Sequence, residues 1–109
     1  MSFVNRPYIG LTAKTRQHIA AIFPDDQEIV ADLLLKECGA NLPFLENADP
    51  VRLERYRFAA LRLSRGDLSK LDIVIELAKR DWRDLLVAAG FGEDTEAHLR
   101  WNPQLDGAQ

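Results

Sequence analysis

The sequence predicts an all-α fold, a compact small domain of about five helices, and three observations predict it. Apolar residues recur three and four positions apart, most clearly at Leu68, Leu71, Ile75, Ala78, Trp82, Leu85 and Ala89. That spacing lines one side of an α-helix. The periodic runs are bracketed by cap and stop residues, among them Gly39, Asp49-Pro50, Gly66-Asp67 and Gly90. No strand-like alternation runs for more than a few residues, and there is no internal repeat or low-complexity tract.

Residues 1–11 carry Pro7 and Gly10 without periodicity and read as an extended arm, with Tyr8 able to anchor it. Thr12 or Thr15 can cap a short helix through Phe23, which Pro24 stops. Asp25-Asp26-Gln27-Glu28 reads as a capping box, Asp25 bonding forward and Glu28 bonding back. Ile29, Val30, Leu33, Leu34 and Cys38 follow at helical spacing up to Gly39. Residues 41–48 form a connecting loop whose Leu42, Phe44 and Leu45 are apolar enough to lie against the core. Asp49 then caps a helix running to about Arg65, with Pro50 at a first position that needs no N–H.

The stretch from Asp67 to Gly90 is the expected centre of the fold. Ile73, Val74, Leu77, Leu86 and Val87 widen its stripe beyond a coiled-coil seam, as in a globular core helix. The stripe stays in phase from Ala78 to Trp82, which favours a continuous or slightly kinked helix. Asp81 followed by Asp84 could instead cap a second helix after Arg80. Gly90 suits a left-handed helix stop, with Phe91 placed to fold back on the last turn. Asp94 opens a short helix through Trp101, and residues 102–109 read as a flexible tail after a single domain over 12–101.

A chain of 109 residues, 47% hydrophobic and 28% charged, fits one domain with one modest core. A single cysteine, Cys38, forms no internal disulfide and supports no cysteine–histidine metal framework, so no metal site and no cofactor is expected. There is no secretory leader pattern and no run long enough to cross a bilayer. The expectation is a cytoplasmic protein with no membrane partner.

Charge is distributed in blocks. Residues 1–49 carry four basic and seven acidic side chains, residues 50–66 five arginines and one glutamate, and residues 67–109 five basic and nine acidic. A basic block between acidic ones signals internal charge pairing or a binding patch. On the helix 50–65, Leu53, Tyr56, Ala60 and Leu63 share one arc and form the expected core face. Arg52, Arg55, Arg62 and Arg65 share another arc with Val51 and Phe58. Arginines framing an exposed aromatic have the composition of a protein contact, so Arg52, Arg55, Phe58 and Arg62 are the candidate partner-binding residues. The competing reading packs Phe58 on a neighbouring helix and pairs the arginines with the acidic helices. The same arginines could hold nucleic-acid phosphates, although the chain's overall charge of −3 opposes a large footprint.

Catalytic signals are thin, and no catalytic residue is assigned. Asp94 and His98 stand four apart on one helix face, without a nucleophile or third ligand at recognisable spacing. Cys38 falls at a helix C-terminus, where the dipole disfavours a thiolate, and reads as a small core residue. Trp82 falls in the core stripe, and Trp101 is expected to close the end of the core. The sequence therefore favours a small non-enzymatic interaction or regulatory protein that self-associates or binds a protein partner. Nucleic-acid binding through the 50–65 helix is the alternative.

Overall fold

The computed structural model describes residues 10–43 and 45–103. Six helices form within them: α1 (Ala13–Ile22), α2 (Gln27–Glu37), α3 (Pro50–Ser64), α4 (Leu68–Arg80), α5 (Trp82–Ala89) and the single turn α6 (Ala97–Arg100). No strand occurs among the described residues, so the fold is all-α. The expected arm over 1–11 and the Tyr8 anchor lie outside the described residues except for Gly10 and Leu11, and Leu11 already belongs to the core. Phe44 and the expected tail from position 104 onward also lie outside them.

Most helices start where a side chain supplies an acceptor to a first-turn amide. Thr12 Oγ1 accepts from the Thr15 N–H at 3.1 Å, and Asp49 Oδ1 accepts from Arg52 N–H at 2.8 Å. Asp67 Oδ1 accepts from Ser69 and Lys70. The box expected at Asp25 and Glu28 does not form. Asp26 is the cap of α2, and at φ −128°, ψ 29° it leaves the extended backbone that aims a cap side chain at the first turn, so it makes no side-chain capping bond.

Helix 67–90 is broken, not continuous. Asp81 ends α4 by donating its N–H to the Leu77 carbonyl and starts α5 by accepting from the Arg83 and Asp84 amides at 3.1 and 3.2 Å. A short carboxylate offers the backbone an alternative to the helical ladder. The break is compatible with the in-phase stripe because the second helix restarts at the very next residue. At the far end, Gly90 adopts φ +83°, with its N–H on Val87 O and the Phe91 N–H on Leu86 O. This is the Schellman arrangement, and it buries Phe91 at 1% exposure as the Gly90-Phe91 pattern predicts.

The organising element is α3, not the 67–90 stretch. α3 contacts α1, α4, α5 and α6. Leu53, Phe58, Ala59, Ala60, Leu61 and Ser64 are all buried, and the small residues among them let neighbouring backbones come close. Tyr56 and Leu63, expected at the centre of its core face, are only half-buried. A helix covered on several sides shows no one-sided stripe, so its central place is not visible in its periodicity. α2 packs on α1 and is tied to α4 by Lys79, which pairs with Glu37 at 2.6 Å and Glu76 at 3.0 Å.

Candidate functional site

The arginine face of α3 does not present Phe58 to solvent as expected. Phe58 is fully buried, in ring contact with His18, His98 and Trp101. Arg55 donates to the Phe91 carbonyl from Nε at 3.2 Å and Nη2 at 2.7 Å, and from Nη2 to the Gly92 carbonyl at 3.3 Å. Arg62 donates to Ala89 O at 3.1 Å and lies over the Phe91 ring, 5.5 Å from its centroid. Arg62 thus caps the last carbonyl of α5, where a cation suits the helix dipole, and Arg55 holds the segment just after it. Of the four candidates, Arg52 remains exposed, beside Val51.

Internal pairing of the basic block is therefore real, and Arg55 and Arg62 direct it to main-chain carbonyls. Arg57 shows this most fully and was not singled out by the sequence. It is 2% exposed, with Nε donating to Cys38 O at 2.8 Å and Nη1 to Gly10 O at 2.7 Å. Burial lowers its pKa from the ordinary arginine value, and the neighbouring Cys38 opposes that shift. The only sequence signal for Arg57 is its place beside the core arc of α3.

A concave feature among the described residues lies elsewhere, between α1 and α6. A cleft of about 340 Å³ opens there, within the size range of small ligand sites. α1 contributes Lys14, Gln17, His18 and Ala21. α6 and the residues just after it contribute Leu99, Arg100, Trp101 and Asn102. α1 is placed by the Thr12 cap and by Ile19 and Phe23 in the core, and α6 rests on α3. Trp101 is 8% exposed and closes the core end, as its position suggests.

Below the cleft lies an aromatic cluster containing both histidines. His18 stands edge-on to Phe58 at 4.5 Å and to Trp101 at 5.0 Å, while His98 meets Phe58 at 5.7 Å and Phe91 at 6.3 Å. His18 Nε2 and His98 Nδ1 are buried without a hydrogen-bond partner among the described residues. Burial, with Lys14 as the lesser cause, holds the His18 pKa down at about 4. Burial also lowers His98, with Arg55 adding to that and the carboxylates Glu54, Asp94 and Glu96 opposing it.

Asp94 directs its carboxylate to groups other than His98. The Asp94 carboxylate accepts from the Glu96 N–H at 2.8 Å and from the Arg100 guanidinium, and these contacts hold it below the usual carboxylate range. Cys38 is sealed in the core, and burial pushes its thiol up to about 12. No cluster of three His, Cys, Asp or Glu residues suited to a metal ion occurs among the described residues. No helix among them is long and apolar enough to cross a membrane. No family model, curated protein or solved structure matches the chain.

Proposed function

We propose that this chain is a small non-enzymatic helical module of the cytoplasm that binds a protein partner through the α1–α6 cleft. The observation that carries the reading is the cleft itself, a concave site with polar donors at its rim and the exposed Leu99 side chain among its lining residues. Two packing facts support a binding role over a catalytic one. Both histidines lie against aromatic rings, and the thiol is enclosed. The nucleic-acid alternative is weakened because Arg55, Arg57 and Arg62 direct N–H groups to carbonyls of the chain itself.

The test is affinity capture of the tagged chain from nuclease-treated lysate beside an Ala21→Trp variant. Ala21 is an exposed cleft residue, so the indole fills the cleft without disturbing the core. A protein retained by the natural chain and lost from the folded variant supports the reading. Sedimentation of the purified chain separates a second copy from a foreign partner. Equal retention by both chains overturns the cleft as the interface.

A further inference from the structure

The cleft's chemistry selects among partners. Its charged lining side chains, Lys14 and Arg100, are both cations, and its uncharged polar ones are the amides Gln17 and Asn102 and the imidazole of His18. No carboxylate lines it among the described residues, although the chain as a whole carries a charge of −3. α1 and the residues flanking it, 10–23, contain Lys14 and Arg16 and no acid. Arg100 is already engaged by Asp94, whereas Lys14 has no carboxylate partner among the described residues. Ala21 and Leu99 add apolar surface next to these donors.

We propose that the cleft binds an acidic peptide segment of a partner protein, its carboxylate bonded by Lys14 and a neighbouring apolar side chain resting on Ala21 and Leu99. This rests on the interaction-module reading and specifies its ligand. Ammonium and amide donors match a carboxylate's acceptor-only oxygens. The apolar surface distinguishes a peptide of mixed character from a bare dicarboxylate, which has nothing to place there. A volume of about 340 Å³ accommodates a short stretch of side chains, not a folded domain. An arriving carboxylate also stabilises the imidazolium form of His18, so binding couples to the protonation of that ring.

The test uses the full chain and a fluorescein-labelled Glu-Glu-Leu-Glu-Glu-Leu peptide, followed by anisotropy at low and physiological salt. The same peptide with glutamine for glutamate, free succinate and a polyuridine oligonucleotide serve as comparison ligands. Expected are binding of the acidic peptide alone, a loss of roughly tenfold in Lys14→Glu, and a rise in the His18 pKa on saturation, read by NMR. Lys14 is exposed, and circular dichroism checks that the variant is folded. Succinate binding as tightly as the peptide, equal binding of the glutamine peptide, preference for the oligonucleotide, or no binding each overturn the proposal. Failure here with capture still lost in Ala21→Trp removes the acidic ligand and leaves the cleft as the interface. Failure of both removes the interaction reading as well.

Discussion

Arg55 on α3 holds the main-chain carbonyl of Phe91, 36 positions away, with two N–H groups at 3.2 and 2.7 Å. A guanidinium whose composition suggests an external partner is instead part of the joint between α3 and the end of α5. Removing it leaves a partly buried carbonyl without its charged donor. Arg55→Ala is expected to destabilise the fold by about 2 kcal/mol in urea unfolding. Arg55→Lys recovers less than half, because an ammonium cannot reproduce the planar fork. Capture of a partner by the folded fraction is expected to be unchanged.

The His18 pKa stands near 4 in the folded chain against an ordinary 6.5. Because the folded value is depressed, the unfolded chain binds the extra proton first. Stability is therefore complete above about pH 6.5, falls between there and about pH 4, and levels off below. The loss attributable to this ring is on the order of 3 kcal/mol. His98, also lowered, adds in the same direction. Comparing unfolding free energies at pH 7 and pH 4.5 in the natural chain and in His18→Leu checks this, the variant showing the shallower dependence.

Cys38 gives a probe of opening. With its thiol fully enclosed and its pKa near 12, the native chain is expected to resist thiol reagents at neutral pH. Labelling should appear at the rate of unfolding and accelerate with urea. Rapid labelling of the native chain, measured with an aromatic disulfide reagent, would contradict the burial.

Asp81 separates α4 from α5 through two amide bonds to its carboxylate. Asp81→Ala is expected to lower stability by about 1 kcal/mol, the usual magnitude for a lost cap. Asp81→Asn should restore most of it. Thermal unfolding followed by circular dichroism distinguishes the two.

The parts of the fold that depend on local chemistry were legible in the sequence. Thr12, Asp49, Asp67 and Gly90 all cap or stop helices as their positions suggest. Asp81 presents local evidence in both directions, and the carboxylate prevails over an apolar stripe that either geometry satisfies. The central role of α3 is hidden in the sequence because burial on several sides erases the single-face pattern. Helical phase sets Phe58 on the arginine arc and leaves open whether it is exposed or packed on a neighbouring helix, where it lies. Arginines bonded to carbonyls leave no trace in charge patterning, since a carbonyl carries no sequence identity. The cleft is harder still to read. Lys14 and Leu99 are 85 positions apart in sequence and meet only because α1 and α6 both pack on α3.

Arg57 also has a consequence for the order of folding. Its two bonds join segments 19 and 47 positions distant, so the pair is complete only once both loops have closed. Contacts between α3, α4 and α5 all lie closer in sequence than the 47 positions from Gly10 to Arg57 and cost less chain entropy to assemble than that closure. The guanidinium thus acts as a late latch that fastens the α1–α2 half onto an already formed α3–α5 half. Its removal, in Arg57→Met, is expected to speed unfolding while leaving the refolding rate nearly unchanged, which stopped-flow chevron measurements read directly.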